Sequence, residues 1–154
     1  LDLAPESQDT YARILSHLVV GTPDLPFAER VFRQAQRQLT LEPEWKVYFA
    51  LWVTAVAARR GEAPGEDVRR ALTELAGADA WFGRLAKFGL GELPYAELLD
   101  EASGLGETTE AHFYEGARRL GAGDREGAMR LFRRVLETRM VQFYEFAMAR
   151  ELLR

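Results

Sequence analysis

With 154 residues, of which 47% are hydrophobic and 29% charged, the chain has the composition of a globular protein with a core, which excludes intrinsic disorder. It contains no cysteine, which excludes disulfides and thiolate metal sites within this sequence. The net charge is −4, and the basic residues are interleaved with glutamates instead of forming one dense face, which argues against a nucleic-acid partner.

Apolar residues recur at helical spacing along nearly the whole chain, and glycine, proline and aspartate interrupt them. The pattern predicts nine helices, at about residues 7–20, 24–41, 44–60, 65–76, 78–88, 94–102, 108–120, 124–138 and 141–153. The helix at 44–60 is apolar nearly all round and should therefore be the most buried one. The second helix has one apolar face, formed by Phe27, Ala28, Val31, Phe32, Ala35 and Leu39.

The loops between the predicted helices are short, so successive helices should lie antiparallel. We therefore expect an all-α fold with a single domain over residues 1–154. It should consist of helix hairpins at about 7–41, 44–76, 78–102 and 108–138, followed by a capping helix at 141–153 with an apolar face of Phe143, Phe146, Ala147 and Leu153. The longest apolar stretch, residues 48–58, is too short to cross a bilayer, so no membrane span is expected.

The first and last hairpins repeat one another at an offset of 100 residues without a gap. The offset pairs Gly21 with Gly121, Asp24 with Asp124, Ala28 with Ala128, Phe32 with Phe132 and Arg33 with Arg133. Three units of about 34 residues span nearly this distance, so the offset favours a helical-repeat protein.

The last hairpin resembles a tetratricopeptide repeat (TPR). In that family a small residue in the first helix lets the second helix approach, and Gly116, Ala128, Phe132 and Val135 stand at the matching positions. The sequence departs from the family at Glu115, Arg119 and Met140, and Ser16 replaces the glycine in the first hairpin. The resemblance implies a TPR-like α-α superhelix that binds a protein or peptide along its concave face.

Residues 45–153 also resemble the C-terminal part of the NlpI-type TPR lipoproteins of bacterial envelopes. The order of helices matches, together with the aromatic residues Tyr48 and Trp52, the sequence Gly-Glu-Leu-Pro at 91–94, and the last helix. That family acts as adaptors for peptidoglycan hydrolases and proteases. The resemblance implies a non-catalytic adaptor in the bacterial periplasm or envelope, with the cytoplasm as the alternative location.

The resemblance to TPR proteins also implies a groove. Its lining positions in the last repeat fall on Glu110, Phe113 and Ala117, and the offset of 100 transfers them to Thr10, Arg13 and His17. We expect Phe113 to offer an apolar anchor and Arg13 a charge. The partner would then be a peptide segment with acidic and apolar residues, and no cofactor is expected.

Two other functions are open from the sequence. The acidic stretch 61–110 and the more basic stretch 111–154 suit a self-associating structural subunit, that is, a homo-oligomer. A helical hydrolase would need a carboxylate pair, but the pairs at helical spacing, Glu62 with Glu66 and Glu97 with Glu101, are expected on the surface.

The remaining side chains that could bind a metal or a ligand are histidines and aromatic residues. The only two histidines, His17 and His112, lie in different repeats, so a metal site is not expected, and His112 should have a packing role. The aromatic residues fit either the seams between hairpins or a ligand cavity, and packing is the favoured interpretation. They are Trp45, Tyr48, Phe49, Trp52, Trp81, Phe82 and Phe88.

Overall fold

A computed structural model describes residues 8–38 and 40–154 of the chain. Over these residues the secondary structure consists of nine α-helices, so the predicted all-α fold class is confirmed. The helices are α1 (Gln8–Val20), α2 (Leu25–Gln38), α3 (Pro43–Arg59), α4 (Glu66–Leu75), α5 (Trp81–Gly89), α6 (Tyr95–Glu101), α7 (Leu105–Gly121), α8 (Arg125–Glu137) and α9 (Tyr144–Leu152). The predicted first residue of the first helix, Ser7, and the predicted stripe residue Leu39 lie outside the described residues.

Helix α3 lies at the centre of the molecule. It packs against α1, α2, α4, α5 and α7, which together surround its apolar circumference. Its buried residues are Val47, Phe49, Ala50, Leu51, Trp52, Val53, Ala55, Val56 and Ala57. The predicted burial of this helix is confirmed, although α7 is buried to the same extent, with α3, α6, α8 and α9 around it.

The hairpins α1–α2 and α7–α8 have equivalent local structures, as the offset of 100 residues predicts. The carboxylate of Asp24 accepts a hydrogen bond from the backbone N–H of Phe27 (3.1 Å), and that of Asp124 accepts one from Gly127 (2.9 Å). Both aspartates therefore satisfy an otherwise unpaired N–H in the first turn of the second helix of their hairpin.

Close approach of α8 to α7 depends on Gly116. A Cβ atom at this position would lie 2.6 Å from Cε1 of Phe132, a distance that would force the ring to move. Phe132 and its counterpart Phe32 are both fully buried. The predicted role of a small residue that admits the second helix is therefore seen at Gly116.

The turns of these two hairpins both contact the C-terminal end of α3. Arg59 donates hydrogen bonds to the carbonyl oxygens of Val19 (2.7 Å) and Gly21 (2.6 Å). Carbonyl groups at the C-terminal end of a helix lack a backbone N–H partner within the helix, and Arg59 supplies a donor here. At the other hairpin, a Cβ atom on Gly121 would lie 2.4 Å from that of Ala58, so only glycine permits this contact. The end of α3 is thus held between two related turns.

The last helix begins later than predicted. Arg139 has a positive φ of 58°, and the N–H of Val141 donates to its carbonyl oxygen (2.8 Å), so this segment forms a turn. Helix α9 consequently starts at Tyr144, and the predicted capping helix at 141–153 and its face need correction. Its buried residues are Glu145, Met148 and Ala149, whereas Ala147 is exposed and Phe143, Phe146 and Leu153 are half-buried.

Helix α9 packs against α7, α8 and also α1. The hydroxyl of Tyr144 donates a hydrogen bond to the carboxylate of Asp9, which ties the two helices together. In an open solenoid each repeat contacts only its neighbours. The contact between α1 and α9 therefore closes the arrangement of hairpins.

Replacement of Phe132 by alanine should lower the free energy of unfolding by about 3–5 kcal/mol, because the change leaves a cavity against α7 that the close-packed helices cannot fill. Urea denaturation monitored by circular dichroism would measure the loss. The exposed neighbour Arg133→Ala is the control and should change stability by less than about 0.5 kcal/mol. A loss below about 1 kcal/mol for Phe132→Ala would contradict the role of this ring in the hairpin.

Candidate functional site

The predicted groove residues on α7 are buried. Phe113 is fully buried, with its ring 5.7 Å from that of Phe132 and 5.2 Å from that of Tyr114, and Glu110 and Ala117 are each only 7% exposed. The expectation that Phe113 offers an exposed apolar anchor is wrong, because the helices around α7 cover this face. Its truncation would open a core cavity instead of removing a contact with a partner.

The predicted groove residues on α1 lie nearer to the surface. Thr10 is half-buried, and Arg13 and His17 are exposed one turn apart. Arg13 forms an ion pair with Asp9 (3.0 Å), and Nδ1 of His17 lies 2.9 Å from the carbonyl oxygen of Arg13. Since the α7 positions are covered, the six residues do not form one continuous groove.

A cleft lies instead between α3, α7 and the N-terminal end of α9. It has a volume of about 290 Å³, and we call it the acidic aromatic cleft. Its lining residues are Glu44, Trp45, Tyr48, Trp52, Glu110, Gln142, Phe143, Tyr144 and Glu145. The spacing of Trp45, Tyr48 and Trp52 places these rings on one face of α3, which explains why a single helix supplies one whole wall.

The aromatic wall is continuous across two helices. The ring of Tyr144 on α9 lies 6.1 Å from that of Trp45 and 5.4 Å from that of Trp52. These distances are typical of favourable contacts between aromatic rings. Tyr144, which also bonds to α1, therefore fixes the position of α9 across the cleft.

A second cavity of about 410 Å³ adjoins the first and shares Glu44, Tyr48, Glu110 and Phe143 with it. It adds Trp81 and Glu107 to the lining. All three tryptophans of the chain, Trp45, Trp52 and Trp81, thus line one or the other cavity.

Two buried carboxyl groups are held by aromatic donors. Oε1 of Glu110 accepts hydrogen bonds from the Tyr48 hydroxyl (2.8 Å) and from Nε1 of Trp81 (3.0 Å). On the other side, Nε1 of Trp52 donates to the Tyr114 hydroxyl (3.0 Å), which itself donates to Oε2 of Glu145 (2.6 Å).

Burial makes both carboxyl groups hard to ionise. Burial, followed by the charge of Glu145, raises the pKa of Glu110 to about 8, although the hydrogen bonds from Tyr48 and Trp81 oppose the shift. Burial also raises the pKa of Glu145, and the hydrogen bond from Tyr114 only partly offsets it. Among the described residues, neither cavity has a lysine, arginine or histidine in its lining.

Glu115, one turn further along α7, shows the opposite behaviour. It is only 2% exposed, but it accepts hydrogen bonds from Arg118 (2.6 and 2.8 Å) and Arg119 (3.0 Å). Burial alone would raise the pKa of Glu115, but these two guanidinium groups outweigh burial and lower the pKa. Glu115 and Arg119, which both depart from the TPR pattern, therefore neutralise each other's charge. The carboxyl groups in the cleft have no such basic partner within the described residues.

The acids considered from the sequence are on the surface, as expected: Glu62, Glu66, Glu97 and Glu101 are all exposed. The buried pair Glu110 and Glu145 was missed as a pair. The available signal was the position of each glutamate beside aromatic residues at core spacing. Glu110 lies three positions before Phe113, and Glu145 follows Tyr144 directly.

The histidine predictions have different outcomes. His112 is 7% exposed, and its Nδ1 lies 2.7 Å from the Tyr95 hydroxyl, so its predicted packing role is confirmed. His17 is exposed, and its predicted place in a groove stays a prediction. Over the part of the chain that the structure describes, no group of three or more histidine and acidic side chains is placed to hold a metal ion.

Comparison of the chain with protein-family models, with curated proteins and with solved structures finds no match. The resemblance to TPR proteins and to the NlpI-type lipoproteins therefore stays a prediction. Within residues 8–38 and 40–154, no helix combines the length and the apolar character that are needed to cross a membrane.

The carboxyl group of Glu110 should make the free energy of unfolding fall as the pH rises from about 4.5 to 8. Below its ordinary pKa of 4.5, Glu110 is protonated in both the folded and the unfolded chain. Between 4.5 and 8 the unfolded chain releases this proton and the folded chain keeps it, so unfolding becomes more favourable.

Urea denaturation at about pH 5 and pH 8 would measure this dependence. Glu110→Gln keeps an acceptor for Tyr48 and Trp81 and should reduce the loss of stability over this range by a few kcal/mol. The groups that face Glu110 (Glu44, Tyr48, Glu107, Tyr114 and Glu145) stay unchanged in this variant. Equal pH dependence in the wild type and the variant would contradict the raised pKa, and the exposed Glu74→Gln serves as a control.

Proposed function

We propose that this chain is a non-catalytic adaptor of the TPR-like kind, which binds a segment of another protein in the acidic aromatic cleft. The observation that supports this function is the cleft itself: a partly open space between three helices, lined by aromatic rings and carboxyl groups. Aromatic residues at the centre of an interface contribute most to binding, because they offer large rigid surfaces with little loss of conformational entropy.

The proposal moves the binding surface away from the concave groove expected from the sequence. Phe113 and its neighbours on α7 are covered, and Arg13 already has Asp9 as its partner. The cleft instead uses α3, which the offset of 100 residues does not involve. The proposed partner is a protein segment and not a nucleic acid, because no basic side chain among the described residues lines the cleft to bind phosphate.

The carboxyl pair also favours a second candidate function, that of a hydrolase. A carboxyl group with a raised pKa next to a second one is the arrangement that acid-base catalysis requires. We favour binding because Oε1 of Glu110 and Oε2 of Glu145 are already held by Tyr48, Trp81 and Tyr114. Release of soluble fragments from peptidoglycan, abolished in Glu110→Gln, would support the hydrolase instead.

A displayed library of random twelve-residue peptides would test the adaptor function. Peptides enriched on the wild-type chain would be synthesised and their affinities measured by fluorescence polarisation. In the variant Gln142→Arg, an exposed residue at the edge of the cleft becomes a longer, charged one. Because this side chain would occupy the entrance, we expect affinity to fall about tenfold or more, which is at least about 1.4 kcal/mol.

The matched control is Gln38→Arg, which makes the same chemical change at an exposed position on α2, away from the cleft. It should leave the affinities unchanged, and both variants should keep the wild-type circular dichroism. Failure to enrich any peptide, or equal binding by Gln142→Arg and the wild type, would overturn the proposed function of the cleft.

A further inference from the structure

The acidic aromatic cleft contains two carboxyl groups without a cationic partner among the described residues. Glu110 and Glu145 are only 7% and 5% exposed, yet neither forms an ion pair within the described part of the chain. Buried carboxylates in proteins are normally paired with a cation, because removal from water strongly destabilises an isolated charge. The same helix provides a comparison, since Glu115 is buried to a similar extent and has two arginines.

Glu110 has one carboxyl oxygen that is available to a ligand. Both hydrogen bonds to Glu110 end on Oε1, and its Oε2 accepts none from the described residues. Since Glu110 lines both cavities, this oxygen belongs to a side chain that a guest in either cavity would meet. A group that donates hydrogen bonds and carries a positive charge would satisfy it.

The aromatic walls favour the same kind of guest. Trp45, Tyr48, Trp52, Phe143 and Tyr144 surround a volume of about 290 Å³, near the lower end of the range for ligand pockets. The faces of such rings attract cations, and tryptophan is the most effective of them. A cavity lined by aromatic rings and carboxyl groups therefore suits an organic cation with a short apolar stem.

We propose that the acidic aromatic cleft binds the ammonium group of a lysine side chain presented by the partner segment, with Glu110 and Glu145 as counter-charges and the rings around the stem. This inference rests on the proposed function, because the lysine belongs to the bound protein segment.

Other guests fit the cleft less well. An anion would meet Glu44, Glu110 and Glu145 and no basic group in the lining. A metal ion prefers several oxygen or nitrogen ligands, and the described residues do not form such a cluster. A neutral apolar side chain would leave the carboxyl groups unpaired, whereas the lysine side chain combines an apolar stem with a charge at its end.

Titration of the whole chain with n-butylammonium chloride would test the cation site directly, since this ion reproduces the stem and head of a lysine side chain. All three tryptophans line the two cavities, so their fluorescence reports on binding. At about pH 8.5 the ammonium group is still protonated. We expect a saturable change with n-butylammonium and none with n-butanol or with sodium chloride at the same ionic strength.

The variants separate a specific site from general screening. Glu110→Gln should weaken n-butylammonium binding about tenfold or more, because it removes a charge but keeps the acceptor for Tyr48 and Trp81. The control Glu74→Gln changes the net charge equally at an exposed position outside the cleft and should bind as the wild type does. An equal response to n-butanol, or unchanged affinity in a folded Glu110→Gln, would overturn the proposal.

The selected peptides distinguish this inference from the proposed function. If both hold, the enriched peptides contain a lysine whose replacement by norleucine lowers affinity about tenfold or more, and Glu110→Gln causes a similar loss. Peptides that need the cleft but no lysine would leave the adaptor function standing and overturn the lysine proposal. Binding of n-butylammonium without any enriched peptide would overturn the adaptor function. It would also overturn the proposal that the cleft binds a lysine side chain of a protein segment, and would assign the site to a free amine.

Discussion

The structure depends on the burial of α3 on all sides. A helix with an apolar circumference cannot lie at a surface, so other helices have to surround it, and α1, α2, α4, α5 and α7 do so. This requirement explains why related hairpins contact the same end of α3, through Arg59 on one side and Ala58 on the other. It also explains why the structure differs from a row of hairpins that touch only their neighbours.

The cleft lies at the N-terminal end of α3. Its first turns carry Trp45 and Tyr48, which are only half-buried, because α9 starts at Tyr144 and leaves a space in front of them. The turn at Arg139 sets this starting point. The cleft therefore results from the start of α9 at Tyr144, three residues after the predicted start at residue 141.

Much of the fold could be predicted because its signals are local. Glycine, proline and aspartate mark the helix ends, and the offset of 100 residues predicts matching caps at Asp24 and Asp124. The start of α9 could not be predicted, since a left-handed arginine at position 139 has no characteristic sequence signal.

The candidate site was harder to predict, because it depends on which elements meet in space. The offset transfers positions from α7 to α1, but it carries no information on the helices that cover them. The resemblance to TPR proteins therefore predicts an exposed Phe113, although the helices around α7 bury it. The sequence is compatible with packing or with a cavity for the aromatic residues of α3, and Trp45 and Tyr48 both pack against the core and line the cleft. The pairing of Glu110 with Glu145 joins helices that are distant in sequence, so spacing could not show it.

The members of the cluster Glu115, Arg118 and Arg119 depend on one another unequally. The side chain of Arg119 is 35% exposed and can remain in water without a partner, whereas that of Glu115 is 3% exposed and cannot. Arg119 without the glutamate would therefore cost little, whereas Glu115 without the arginines would be a buried carboxyl group with no cation beside it. The arginines do not need the glutamate, but the lowered pKa of Glu115 depends on the arginines.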